Sequence, residues 1–207
     1  MMLSLLLSLA LASSGGITEP HTKVHFDARL EAAGVALALT GVDRRRALDR
    51  DAYAVAHYIA TPDTGGLHER TAEDRLSAWI ETPAHKLLIF EGVYKSVPAH
   101  GIRLSWKKHF KDLGLTPHAE FVAAFQEPFQ RGDRLYFQAD PEGRLEVRHD
   151  DRLLGAWTDP ALVRALWAMC LGPTTEIVAR ENLAALTPER EAVAARSDSN
   201  ANTKEAM

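Results

Sequence analysis

Two runs of alternating apolar residues constrain this chain more than any other feature of its sequence. In residues 35–40, Val35, Leu37 and Leu39 fall on one side, and smaller residues fall on the other. Residues 52–59, with the sequence AYAVAHYI, repeat this alternation. A period of two is the spacing of side chains along a β-strand, so both runs predict strands with one buried face.

The segment between the two runs holds a Thr-Gly pair, which predicts a turn, and then three consecutive arginines, Arg44 to Arg46. Burying an unpaired guanidinium costs several kcal/mol. Either all three arginines are solvated, or one of them points inward and meets an anion. Neighbouring residues of a strand point to opposite sides, so Arg44 and Arg46 should share a face that Arg45 avoids.

The remaining helix and strand signals predict a single layered domain. Thr71 with Asp74 resembles a capping box, and Asp159 with Pro160 predicts a helix that ends at Gly172. Runs of adjacent strands joined by short turns favour antiparallel pairing. The predicted fold class is therefore α+β, an open-faced sandwich with a large antiparallel β-sheet and helices packed on one face. The other predicted elements are strands at 85–93, 133–139, 144–150 and 153–157, helices capped by Ser96 and Thr116, and a last helix at 175–186.

Composition excludes several classes of function. The chain has 207 residues, a formal net charge of -4 and no basic stripe, so a nucleic-acid partner is not expected. Its one cysteine, Cys170, allows no internal disulfide and no thiolate metal site, and it is expected to be an inert buried thiol. The histidines show no metal-binding spacing, so no metal is predicted.

The two ends of the chain differ in composition from the middle. Residues 1–16 form an apolar run followed by small residues, which predicts a signal peptide cleaved after Ala12 and a periplasmic or secreted protein. The alternative is an apolar N-terminal strand. No segment is long and apolar enough to span a membrane. Residues 21–188 form the predicted domain, and residues 189–207 are predicted to be a disordered tail.

The order of these motifs resembles the chalcone isomerase-like family, in its bacterial, exported branch. The segment LTGVDRRR is similar to the L-N-G-x-G-x-R corner of that family, and AYAVAHYI is similar to the strand that follows it. The likeness continues through HKLLIFEGV, QRGDRLYFQADPEGRLEV and LLGAW, and ends with LVRALWAMCLGPTTEIVARENLAAL. The resemblance implies a large antiparallel sheet covered by helices on one side.

The resemblance also implies a site. The arginine that holds an anionic oxygen in plant chalcone isomerase aligns with Arg45, which could stabilise an oxyanion. Its strand threonine falls near Tyr53, while its helix tyrosine and asparagine fall near the apolar Val97 and Leu104. Tyr94 is the closest other hydroxyl. Other branches of the fold bind fatty acids, and some are reported to bind haem, so the resemblance implies either kind of carboxylate ligand.

Three hypotheses follow for the function. The first is a binding protein for a small apolar or amphipathic molecule, with Arg45, Tyr53, His57 and Tyr94 as ligand-binding residues. The second is an intramolecular lyase with Arg45 and Tyr53 as catalytic residues. The third is a structural module with its pocket filled by its own side chains, which the lack of a cavity of about 300 Å³ would favour. His57 could ligate haem iron or be a satisfied core histidine, and Arg45 could instead pair with nearby aspartates on the surface. The oligomeric state is left open.

Overall fold

A seven-stranded antiparallel sheet forms the centre of the computed structural model, which describes residues 15–47, 50–60, 70–173, 175 and 177–185. The strands of the sheet are β3 (Arg29–Ala32), β4 (Val35–Ala47), β5 (Arg50–Ala60), β6 (Lys86–Gly92), β9 (Arg134–Ala139), β10 (Arg144–His149) and β11 (Arg152–Thr158). Their spatial order is β11-β10-β9-β6-β5-β4-β3. Two small antiparallel pairs flank it, β1 (Gly16–Thr18) with β2 (His25–Asp27), and β7 (Ser96–Val97) with β8 (Phe129–Gln130).

Four described helices supply the second layer: α1 (Ala72–Glu81), α2 (Ala99–Asp112), α3 (Ala119–Ala124) and α4 (Pro160–Leu171). Two of the predicted helix starts are confirmed. Thr71 accepts a hydrogen bond from the Asp74 amide at 3.2 Å, and Asp159 accepts from the first turn of α4. Gly172 ends α4 as predicted. The arrangement confirms the predicted α+β class.

The two faces of β5 contribute to two separate apolar clusters. Tyr53, Val55 and Ile59 pack with residues of the helices. Ala54, Ala56 and Tyr58 point to the other side and pack with Phe26 and its neighbours from the N-terminal strands. The alternation of β5 is thus the predicted one, and the alanines leave room for the β1–β2 pair to cover part of the second face.

The predicted Thr-Gly turn is wrong, because β4 continues through Thr40 and Gly41 to Ala47. Leu39 pairs with Tyr58 and Gly41 pairs with His57, so Thr40 is an extra residue in a β-bulge. Gly41 does not form a turn, and its missing side chain allows the backbone of the C-terminal segment to lie against β4. A Cβ at this position would collide with backbone atoms of Asn182 and Leu183.

Two helix caps were also predicted at the wrong residues. Ser96 belongs to β7 and pairs with Gln130, so α2 begins later, with Pro98 as its N-cap. The start of α3 is capped by the His118 side chain, which accepts from the Phe121 amide at 3.2 Å, rather than by Thr116. Strand pairing in the first case, and a side-chain acceptor nearer the helix in the second, explain the shifts.

The predicted last helix at 175–186 is present only in part among its described residues. Ile177 instead forms an antiparallel bridge with Arg45, and the Val178 amide donates to the Arg44 carbonyl at 3.1 Å. A short 3₁₀ helix follows at Arg180–Ala184. The Asp43 carboxylate explains the departure from a helix, because it accepts from the Ala179 amide at 3.0 Å.

Both ends of the chain remain predictions. The signal-peptide segment lies outside the described residues except for residues 15 and 16, and Gly16 is the first residue of β1. The predicted tail at 189–207 lies wholly outside them. Among the described residues, no helix combines the length and the apolar character needed to cross a membrane.

The close approach at Gly41 can be tested by adding one methyl group. We expect Gly41→Ala to lower the free energy of unfolding by about 1–3 kcal/mol or more, because the new Cβ would meet the backbone of Leu183. Urea denaturation measures the change. The matched control is Gly101→Ala in α2, where the nearest atoms to an added Cβ are 3.8 Å away. That variant should keep or gain up to about 1 kcal/mol, and equal losses in both would contradict the interpretation.

Candidate functional site

A cavity of about 150 Å³ lies between the helix-bearing face of the sheet and α2. Tyr53, Phe90 and Phe137 line it from three neighbouring strands, and Ile102 and Trp106 line it from the helix. Tyr53 and Phe90 meet edge to face with ring centres 5.0 Å apart. The wall is therefore mainly apolar and aromatic.

Arg45 is a basic residue of this wall, and the bulge at Thr40 directs it there. Leu37 and Leu39 pack on the opposite face of the sheet, so strict alternation along β4 would send residue 45 to that face too. The extra residue at Thr40 reverses the alternation, and Val42 joins the same cluster as Leu37 and Leu39. Arg45 is thereby turned towards α2.

The contacts of Arg45 connect three elements of the fold. In the β4–β5 ladder it pairs with Tyr53, and its Cζ lies 5.7 Å from the centre of the Tyr53 ring. Its Nη1 lies 3.5 Å from Ser105 Oγ on α2. Its backbone also bridges to Ile177. The guanidinium is therefore held between sheet and helix rather than in a surface loop.

Arg44 and Arg46 share one carboxylate on the opposite side of the strand. Their Nε atoms lie 3.2 and 4.0 Å from Asp51 Oδ1. A second irregularity, between Arg45 and Arg46, lets both reach the same residue of β5. The predicted separation of Arg45 from its two neighbours is confirmed.

Tyr53 brings a hydroxyl group to the cavity next to this cation. Burial raises the pKa of Tyr53 to about 12, and the neighbouring Arg45 acts in the opposite direction with a smaller effect. The phenol is therefore neutral near pH 7 and can donate a hydrogen bond. The structure thus brings together two of the four residues predicted to bind a ligand.

Helix α2 adds two polar residues, Ser105 and His109, that the sequence analysis did not identify. Gly101, Ser105 and His109 are spaced by four, lie on one side of the helix and line the cavity. The His109 Nδ1 atom lies 2.6 Å from the Ser105 carbonyl oxygen, so Nδ1 donates. Burial, with smaller effects from Arg45 and Lys108, lowers the pKa of His109. The four-residue spacing of these residues could have indicated a shared face of the helix. The sequence analysis instead followed the apolar stripe that contains Ile102 and Trp106.

Cys170 also lines the cavity, from α4. Burial raises the pKa of its thiol to about 12, and the nearby Arg45 offsets only part of this. The protonated thiol is a poor nucleophile. This agrees with the expectation of a buried thiol, although its position beside the cavity was not predicted.

His57 lies outside the cavity wall, in a buried hydrogen-bond network. Trp167 Nε1 donates to His57 Nε2 at 3.1 Å, and His57 Nδ1 lies 2.7 Å from the Thr40 hydroxyl. An indole N–H can only donate, so Nε2 accepts and Nδ1 carries the proton. The Thr40 hydroxyl in turn donates to the Leu183 carbonyl at 2.7 Å. Both ring nitrogens of His57 are thus engaged, as expected for a satisfied core histidine rather than a haem ligand.

Tyr94 is 39% exposed and is not among the described residues of the cavity wall. Its ring faces Arg50 at 6.0 Å. Val97 and Leu104 are the positions near which the family resemblance places the polar helix residues of chalcone isomerase. Val97 lines the cavity, and Leu104 is 62% exposed. The polar set needed to orient a phenolate is therefore incomplete among the described residues.

Asp133, His149 and Asp150 have side-chain atoms close enough together to hold a cation. Each aspartate also has a structural partner. Asp133 accepts from the Gln130 amide at 2.7 Å and lies 3.0 Å from His149, while Asp150 accepts from the Arg134 amide at 2.8 Å. These contacts account for the three side chains as supports of the turns around β9 and β10.

Comparison with solved structures identifies the fold. A fatty-acid binding protein of Arabidopsis thaliana is similar to this chain with a TM-score of 0.68 and 18% sequence identity. The alignment covers 83% of this chain and 96% of that one. No protein-family model matches the sequence, and no curated protein matches it significantly. The chain has the chalcone isomerase-like fold, as its sequence motifs led us to expect.

The network around His57 predicts a pH dependence of stability. Burial, with a smaller effect from Lys86, lowers the pKa of His57 from 6.5 to about 3. Between these values the unfolded state binds the proton more readily, so this histidine lowers the free energy of unfolding as the pH falls. Asp43, with a pKa raised to about 6 by burial, acts in the opposite direction between pH 6 and 3.8.

A variant isolates the histidine. The difference in unfolding free energy between the wild type and His57→Gln should shrink by about 2–3 kcal/mol from about pH 7 to about pH 4.5. Urea denaturation at both pH values measures this difference. The contribution of Asp43 to the pH dependence cancels, because both proteins contain that residue. His100→Gln, at the exposed start of α2, is the control. A difference that stays constant with pH would contradict the assignment.

Proposed function

We propose that this protein binds a small amphipathic carboxylic acid, with the carboxylate on Arg45 and the apolar body in the cavity beneath α2. The observation that carries the proposal is the guanidinium at the wall of an otherwise mainly apolar cavity. Among the described residues that line the cavity, Arg45 is the one that carries a formal charge at neutral pH. A carboxylate that enters the cavity would meet this guanidinium where water is partly excluded, and there the attraction between opposite charges is stronger than in bulk water.

The chemistry of the wall suits a carboxylate more than a neutral polar group. A guanidinium can donate two parallel hydrogen bonds to one carboxylate, and such charge-assisted bonds are stronger than neutral ones. Tyr53 adds a neutral hydroxyl beside the cation. The solved structure of similar fold is named a fatty-acid binding protein, which supports the same class of ligand.

The size of the cavity is the main argument for a structural module. At about 150 Å³ it is half the roughly 300 Å³ at which ligand pockets usually begin. The aromatic side chains of the wall fill much of the space between sheet and helix. Binding of a carboxylate that depends on Arg45 would decide against that alternative.

An intramolecular lyase is the second candidate, supported by the pairing of Arg45 with the Tyr53 hydroxyl. The apolar Val97 and the exposed Leu104 count against it. The assay is ring closure of a hydroxychalcone followed by absorbance. A rate above the uncatalysed one that disappears in Arg45→Met would favour the enzyme.

Export to the periplasm is part of the proposal and depends on the apolar sequence of residues 1–16. Expression of the full chain in a bacterium, followed by mass spectrometry, should give a mature protein that begins at Ser13. Haem has less support, since His57 is engaged by Trp167 and Thr40. An absorption spectrum of protein purified from its host tests for haem directly.

The binding proposal is tested with a matched pair of ligands, nonanoate and nonan-1-ol, which differ mainly in the head group. We expect Arg45→Met to weaken nonanoate binding about 10- to 100-fold, because a hydrogen bond to a charged group contributes about 1.5–3 kcal/mol. The alcohol should change less than about twofold, since methionine keeps an apolar stem. Isothermal titration calorimetry measures both affinities.

The control is Arg46→Met, one residue along the strand and on its opposite face. It removes the same charge from the molecule and should leave both affinities unchanged. Equal weakening by the two variants would point to a general effect of charge and overturn the proposal. Loss of alcohol and acid binding together in Arg45→Met would point to a collapsed cavity, which also counts against a specific carboxylate site.

A further inference from the structure

The volume and the wall of the cavity restrict the ligand further. At about 150 Å³, the cavity matches one known to accommodate a benzene molecule in an apolar protein interior. A long acyl chain needs considerably more space. The volume of the cavity therefore favours a guest of about the size of a single ring.

The wall is built from aromatic rings that meet edge to face. Phe90 and Phe137 have ring centres 5.2 Å apart at 78°, in the same manner as Tyr53 and Phe90. Trp106 closes the other side, 5.6 Å from Phe137. A guest ring can extend this arrangement, and such ring pairs are more favourable than the apolar area they bury accounts for. An alkyl chain makes no comparable contact.

The distance between the cation and these rings sets the shape of the guest. The Tyr53 ring lies between the guanidinium of Arg45, at 5.7 Å, and the ring of Phe90, at 5.0 Å. A carboxylate on Arg45 and a ring against Phe90 and Phe137 therefore need a short spacer to pass Tyr53. An arylalkanoic acid has this form.

We propose that the cavity selects compact acids with one aromatic ring over acyl chains of equal or greater carbon number. The inference depends on the proposed carboxylate site at Arg45. The volume of the cavity and the aromatic rings around it, both formed by described residues, determine the expected class of ligand. Hydrophobic transfer alone would favour the alkyl acid, so the expected preference runs against the general trend.

Three acids test this inference: 3-phenylpropanoate, nonanoate with the same number of carbon atoms, and hexadecanoate. Calorimetry on the wild type should show 3-phenylpropanoate bound about three- to tenfold more tightly than nonanoate. Hexadecanoate, below its aggregation concentration, should bind no more tightly than nonanoate. Phe90→Leu should reduce the preference for the aryl acid to less than about twofold.

The control is Phe110→Leu, a buried phenylalanine of α2 outside the described cavity wall. It should leave the preference unchanged, which separates a contact with the guest from a general loss of packing. Tighter binding of nonanoate or hexadecanoate, still dependent on Arg45, would overturn this inference and leave the proposed function standing. Binding of no acid, or binding indifferent to Arg45→Met, would overturn both.

Discussion

The β-bulge at Thr40 is the constraint on which the arrangement of the site depends. Upstream of it, the leucines of β4 face the cluster formed with the N-terminal strands. Downstream, Asp43 and Arg45 face the helices and the C-terminal segment instead. One extra residue in a strand reverses every later side chain. Without it, the cavity would receive Arg44 in place of Arg45.

Buried hydrogen bonds stabilise this bulge. The Thr40 hydroxyl forms hydrogen bonds with His57 from the next strand and with the Leu183 carbonyl from the C-terminal segment. Trp167 of α4 completes the network through the other nitrogen of His57. A buried polar group without a partner costs about 1–3 kcal/mol, so these groups hold one another in place. His57 therefore acts on the site indirectly, through the strand that carries Arg45, and not as a ligand.

The sequence predicted what depends on local periodicity and local capping. The alternation of β5, the antiparallel pairing of β9 with β10, and the caps at Thr71 and Asp159 arise from neighbouring residues and are confirmed. The separation of Arg45 from its neighbours follows from strand geometry alone. The hairpin between β3 and β4 was missed, since Ala33 and Gly34 with φ of 52° and 76° give a weaker turn signal than Asn-Gly.

The remaining differences come from contacts between distant residues, which periodicity does not encode. A Thr-Gly pair favours a turn locally, but Gly41 is required by the backbone of residues 182 and 183, far along the chain. The segment after Gly172 has helical composition, yet the Asp43 carboxylate and the edge of β4 bind its amides in an extended form. The cavity likewise joins residues from β4 to the C-terminal segment, so the sequence could indicate Arg45 and Tyr53 but not Ser105 or His109.

The protonation states of the cavity wall explain why charge should decide which guest is bound. Burial raises the pKa of Tyr53 and of Cys170 and lowers that of His109, so each of these groups is shifted towards its neutral form. Arg45 adds a guanidinium cation to this wall. Among the described residues of the wall, neutral groups surround this cation, which can form a charge-assisted hydrogen bond with a carboxylate but not with an alcohol of the same shape. The apolar volume then fixes how large the rest of the guest can be.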